Sequence, residues 1–208
     1  MQGLGTNMAN PLENYGAHEV LEVHEVLTNA IVGINSMQLY RPHCQDQQLR
    51  SILDNQLRFM VNEYNTLVNT VNMVNVNRVG TTTGSTYHTI NQATPVYGLD
   101  NPTAEAPNTG VNQMNDRDVA AGVLSCHKAS ATIKMHAALE CADQQLRSMM
   151  IQSARNCADL AYEVWTYMNQ KGYYQVPTLK QTTMNTFINQ YQPASAGMMM
   201  NTTNQSLQ

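Results

Sequence analysis

Charge is scarce in this sequence. Asp, Glu, Lys and Arg make up 12% of its 208 residues, about half the usual fraction. The formal net charge is −4 and the isoelectric point is near 5.8, so nothing draws the chain to nucleic acid or to an acidic membrane. No apolar run approaches the ~18 residues that a membrane-spanning helix requires. Residues 1–14 hold neither a basic cluster nor an apolar stretch, so no secretory signal is expected there. Cysteine is limited to Cys44, Cys126, Cys141 and Cys157, at neither CxxC nor disulfide-scaffold spacing. They are expected to be reduced thiols packed as small hydrophobes. There is no GxSxG, no glycine-rich phosphate loop and no HExxH. These absences leave no complete catalytic set and predict a protein that is not an enzyme and takes no cofactor and no small-molecule substrate. The place of charge is taken by Asn, Gln, Thr and Ser, and weak repulsion between copies permits self-association.

What is present is a stretch stated twice. Cys44-Gln45-Asp46-Gln47-Gln48-Leu49-Arg50-Ser51 returns as Cys141-Ala142-Asp143-Gln144-Gln145-Leu146-Arg147-Ser148, at an offset of 97 residues. The register continues without a gap from Glu19–Asn72 to Asp116–Asn169, with Val26-Leu27 on Val123-Leu124, Arg58 on Arg155 and Asn72 on Asn169. An internal repeat fixes the unit of folding. Equivalent positions predict equivalent roles. Cys44 and Cys141 are expected in matching turns, and Arg50 and Arg147 each on a helix-turn carboxylate or carbonyl.

Each copy reads as two helices. Val20, Val23, Leu27, Ala30, Ile31 and Ile34 recur at three and four, an apolar stripe. Arg41-Pro42 ends that helix and Pro42 can open the next. Asp46 is placed in or before the next first turn, where a carboxylate suits the helix dipole. The second helix carries Leu49, Leu53, Met60, Leu67, Val71 and Val74, interrupted by Gln56 and Glu63, and Arg78-Val79-Gly80 marks its end. The third has a weak stripe of Ala120, Val123, Leu124, Ala131 and Met135 around His127. The fourth carries Leu146, Met150, Cys157, Leu160, Ala161, Val164 and Met168 and stops at Lys171-Gly172. Thr81-Thr82-Thr83-Gly84 and Pro95, Pro102 and Pro107 deny regular structure to the segment between the copies.

The predicted fold is all-α, a ferritin-like antiparallel four-helix bundle built from two repeated αα-hairpins with a long crossover. Its parts are a flexible N-terminal arm (1–14), a first hairpin (15–76), a crossover linker (77–114) and a second hairpin (115–179), with 15–179 forming one bundle. A tail (180–208), including Met198-Met199-Met200, is expected to be mostly flexible, and Thr178 to Tyr191 forms a short last helix or lies over the bundle.

That connectivity raises the question of a metal. A di-metal centre in such a bundle needs a Glu from each of two helices and Glu-x-x-His from each of the other two. Here Glu63 is followed three later by Thr66 and Glu163 by Thr166, so the symmetric set is absent. His18, Glu22 and Glu25, at i, i+4 and i+7, share one face, and with Glu63 and His127 they are the candidate ligands for one asymmetric site. The preferred reading of the first three is a solvated polar face near a helix N-terminus. Glu63, if buried, needs a partner such as Gln56, Asn62 or a histidine.

The second copy, from Asp116 through Leu179, resembles the spore coat protein F family. The resemblance is carried by Val123-Leu124, Lys128, Glu140 to Arg147, Tyr167-Met168 and Gly172-Tyr173-Tyr174-Gln175-Val176-Pro177. The first copy, through Gly16 to Glu25 and Tyr40 to Asn55, is similar to the N-terminal half of related spore coat proteins. What the resemblance implies is a ferritin-like helical unit and a structural component of the bacterial endospore coat. Such a component is made in the mother-cell cytoplasm and packs against other coat proteins or itself. The ten tyrosines, many glutamines and lysines such as Lys171 and Lys180 offer cross-linking chemistry by residue type. The alternative is a ferritin-like metal-binding oxidase or catalase relative with a partial site.

Overall fold

A computed structural model describes residues 15–72, 84–90 and 93–194. The arm (1–14), Val74, Arg78-Val79-Gly80, Thr81-Thr82-Thr83 and Met198-Met199-Met200 lie outside the described residues. The described residues are all-helical: α1 (Ala17–Tyr40), α2 (Gln47–Asn72), α3 (Asp116–Glu140), α4 (Gln144–Gln170) and α5 (Gln181–Ile188), with single 3-10 turns at Arg41–His43 and Val111–Gln113. Among them, pairing of extended backbone is limited to an isolated bridge between Gly98 and Val176.

The helix ends follow from local chemistry. Asn115 accepts from the Arg117 and Asp118 N–H groups, and Asp118 reaches back to the Asn115 N–H at 3.1 Å, a reciprocal cap on α3. Asp46 accepts from the N–H groups of Gln48 and Leu49 and so caps α2, while Asp143 accepts from Leu146 on α4. Pro42 does not open α2. It sits in the 3-10 turn that extends the end of α1, and α2 starts five residues later at Gln47. Gly172, at φ +73°, ends α4 in the left-handed conformation that favours glycine.

The four long helices pack in a ring. α3 lies along α4 and against α1, and α2 touches α1 and α4. Two apolar clusters fill the two ends. One joins Met37, Leu49, Leu53, Val123, Val164 and Tyr167, and the other joins Val23, Val26, Leu67, Ala137, Leu146 and Met150. α1 buries Val23, Val26, Gly33 and Met37, whereas Val20 and Ile31 of the expected stripe stay 45% and 44% exposed. The reason is composition. α1 carries apolar side chains on its outer side as well, with Leu21, Val32 and Leu39 facing outward, so spacing alone could not say which face turns in. Close approach also matters here, because a Cβ on Gly122 of α3 would lie 2.7 Å from the Tyr40 ring of α1.

The octets stated twice make the same hydrogen bonds at the same offset. Arg50 donates to the Cys44 carbonyl and Arg147 to the Cys141 carbonyl, each at 2.5 Å. Asp116 accepts from the Asp46 N–H, and its repeat mate Glu19 accepts from the Asp143 N–H at 2.6 Å. Each hairpin turn is thus held by a carboxylate from the first turn of the other copy. Glu19→Ala and Asp116→Ala are expected to cost roughly 1–3 kcal/mol each, with Glu19 at the upper end because it is buried. Acting at opposite ends of the bundle, the two losses should add in urea denaturation.

In the connection between α2 and α3, the described residues 84–90 and 93–100 form a strap along α4 and the turn that follows it. Asn169 exchanges two hydrogen bonds with Val96, Gln170 donates to the Thr94 carbonyl, and Asp100 exchanges two with Gln175. Polar side chains at the C-terminal end of α4 and just past it thereby satisfy backbone that has no helix of its own. α5 forms within the expected tail and all its residues are exposed.

Candidate functional site

Between the two apolar ends, the middle of the bundle is polar. The positions that face inward there are Gln56 and Glu63 on α2, His127, Ser130 and Lys134 on α3, and Asn156, Cys157 and Glu163 on α4. Each occupies a place in its helix's inward stripe. On α3 the stripe runs Val123, His127, Ser130, Lys134, Ala137, so a basic side chain stands where spacing asks for an apolar one. Burying such groups costs free energy unless they are paired, and here they are paired with one another.

Two linked groups result. In the first, Lys134 donates to Glu63 Oε2 at 2.6 Å and lies 3.3 Å from Cys157 Sγ, while Asn156 Nδ2 donates to Glu63 Oε1 at 2.6 Å. The Lys134 and Glu63 side chains are 7% and 13% exposed. Burial disfavours the ammonium, but the sulfur of Cys157 and the carboxylate of Glu63 outweigh it and hold the Lys134 pKa above its ordinary value. In the second group, the fully buried Glu163 accepts from the Tyr87 hydroxyl, from Gln56 Nε2 at 2.9 Å and from the Ile90 N–H at 2.6 Å. Gln56 also donates to the Leu160 carbonyl, so its Oε1 faces His127 Nε2 at 2.8 Å. Burial holds the His127 pKa down to about 3, with Lys134 pushing the same way. The ring is therefore neutral, and because Gln56 Oε1 can only accept, Nε2 carries the hydrogen. Asn156 ties the groups together through the strap, accepting from the Tyr87 N–H and donating to the Ser85 carbonyl.

The expected ligand candidates do not converge. His18 is exposed, 4.0 Å from Glu140, and Glu22 faces His136 at 3.6 Å on the outer edge of α1 and α3. Glu25 is exposed. Glu63 is mid-bundle, but its partners are Lys134 and Asn156 and not Gln56, Asn62 or a histidine. His127 is buried on Gln56. Among the described residues, no group of three or more His, Cys, Asp and Glu is placed to hold a metal ion. The donor chemistry gives the physical reason. Lys134 brings a cation of its own to Glu63, and the oxygens of Glu163 are taken up by neutral donors.

Cys44, Cys126, Cys141 and Cys157 are free thiols. Burial, followed by the nearby carboxylates Asp116 and Glu19, pushes Cys44 and Cys141 each up to about 11, away from reactive thiolates. Lys171, a cross-linking candidate by type, is paired with Asp46 at 2.7 Å. No helix among the described residues is long and apolar enough to cross a membrane.

Comparison with known proteins adds three findings. Residues 115–177, which contain α3, α4 and the turn after them, match the model of the Coat F domain. Over 183 residues the chain is 29% identical to the spore coat protein F-like protein YhcQ of Bacillus subtilis (strain 168), a match that covers 88% of this chain and 83% of that protein. No solved structure matches.

Proposed function

Because the chain carries a Coat F domain, we propose that it is a non-catalytic structural component of the bacterial endospore coat, made in the mother cell and packed into a proteinaceous layer beside other coat proteins. The spore coat is its location. The observation that supports a structural role is the saturation of the mid-bundle acids: Glu63 and Glu163 are engaged by Lys134, Asn156, Gln56, Tyr87 and the Ile90 N–H. The cavities that touch Glu63 are water-sized, about 20 Å3 each, far below what a small-molecule site needs. The bundle reads as ferritin-like, with two αα-hairpins at an offset of 97 residues, a crossover strapped along α4, and polar side chains where such bundles hold metals.

Contacts with neighbouring coat proteins fall to the outward apolar side chains. Leu21, Val32 and Leu39 line the exposed side of α1. On α5, Met184, Phe187 and Ile188 recur at i, i+3 and i+4 as an exposed stripe, and the exposed Tyr191 follows just past the helix end. The proposal is tested by fractionating mature spores. The protein is expected in the detergent- and reductant-extracted coat fraction, and recovery from the soluble spore core instead would refute it. Stoichiometric iron or manganese in the purified protein would favour the oxidase reading.

A further inference from the structure

We propose that Lys134 and Asn156 become joined by an intramolecular amide bond, with Glu63 moving the protons. Resting on the Glu63 cluster and not on the coat assignment, the proposal stands or falls by itself. Lys134 Nζ and Asn156 Nδ2 each donate, at 2.6 Å, to the two oxygens of the one Glu63 carboxylate. A nucleophile and an acyl group are thus held side by side on the group that can serve both. Such positioning removes the entropic cost of bringing them together. The Asn156 carbonyl is already polarised. Its Oδ1 accepts from the Tyr87 N–H and from Gln152 Nε2, both at 3.0 Å. Two fixed donors aimed at one carbonyl oxygen form the arrangement that stabilises the oxyanion of acyl transfer. Asn156 is 1% exposed and Lys134 6%, so water competes poorly as a nucleophile.

The step balances without an oxidant. One proton passes from the Lys134 ammonium to Glu63, leaving a neutral amine and a carboxylic acid. The Nζ lone pair attacks Asn156 Cγ, and the negative charge goes to Oδ1 between the Tyr87 and Gln152 donors. The bond from Cγ to Nδ2 then breaks, Glu63 returns its proton to Nδ2, and the second proton on Nζ is passed through Glu63 to the departing nitrogen. The departing nitrogen, now carrying both protons, leaves as ammonium, Glu63 is again a carboxylate, and the amine and carboxamide have become one secondary amide, a net loss of one ammonia from the neutral mass. The water-sized cavities beside Glu63, lined by Ser153 and Leu67, give ammonia room to depart. The bond would staple α3 to α4 across the middle of the second hairpin, which suits a protein of a resistant shell.

Intact-mass measurement of the full-length recombinant chain tests this. The expected mass is the sequence mass less one ammonia, and tandem spectra should show the peptide containing Lys134 joined to the peptide containing Asn156. Glu63→Gln should restore the full sequence mass. Asn156→Asp, a change of minimal shape, should give the same junction with loss of water in place of ammonia. Far-UV circular dichroism identifies any variant that fails to fold, and the wild-type mass decides the matter by itself. An unshortened wild-type mass, an ammonia loss mapped to other residues, or a Lys134–Cys157 junction carrying an added oxygen would each overturn the proposal.

Discussion

Lys134→Ala is expected to cost roughly 3–5 kcal/mol of folding stability, the range for removing one partner of a buried ion pair. That is a large share of the ~5–15 kcal/mol by which a domain is usually stable. The loss is not the value of the contact itself. It is the penalty of leaving the Glu63 carboxylate, 13% exposed, inside the bundle with Asn156 as its remaining described donor. Replacing both partners by apolar side chains of similar volume, Lys134→Met with Glu63→Leu, should recover most of the loss, since neither charge then needs pairing. Arg41→Ala is the surface control. Its pair with Asp54 is 44% and 33% exposed, and water replaces it at little cost. Urea midpoints at constant slope measure all three. A Lys134→Ala midpoint no lower than that of Arg41→Ala would show that the pair is solvated and not internal. Where the Lys134–Asn156 amide has formed, the loss is larger, because the covalent link goes with the side chain.

The same residues show what the sequence could and could not tell. The ends of the bundle were legible because they obey the repeat. Asp46 and Asp143 cap, Arg50 and Arg147 bind the carbonyls of Cys44 and Cys141, and one alignment places both sets. The middle was not, because there the copies diverge. At the offset of 97, Lys134 faces Met37, His127 faces Ala30, Asn156 faces Phe59 and Glu163 faces Thr66. A reading that looks for matched ligands passes over positions that have no mate. The weak stripe of α3 was itself the signal. Continued through its gap at spacings of four and three, it lands on Ser130 and Lys134, both buried, and not on Met135, which is 40% exposed. Tyr87 had no signal of any kind, since no periodicity in a segment without regular structure can announce a contact with Glu163, 76 residues away.

Acid should weaken this fold well before its carboxylates titrate, and His127 is the cause. Its folded pKa is held near 3 against an ordinary value of 6.5. The sign follows from proton counting. Between these values the unfolded chain takes up a proton that the folded chain refuses, so stability falls as pH falls. Each unit below 6.5 costs up to about 1.4 kcal/mol, and by pH 4.5 the loss is about 2–3 kcal/mol. The surface carboxylates act in a lower window. The Lys171 ammonium holds Asp46, and Arg41 holds Asp54, below the usual range, and their contribution is lost only as pH falls through those lowered values. The two sources therefore separate on a pH axis. His127→Gln keeps an N–H that can reach Gln56 Oε1 and cannot titrate. In urea unfolding at half-unit steps from pH 7 to pH 4, its stability should stay nearly level down to about pH 5 while that of the parent chain slopes by close to one proton per molecule. Parallel profiles for the two proteins would mean that the ring takes up its proton inside the fold, which requires an acceptor or a path to water at its Nδ1, an atom left without a partner among the described residues.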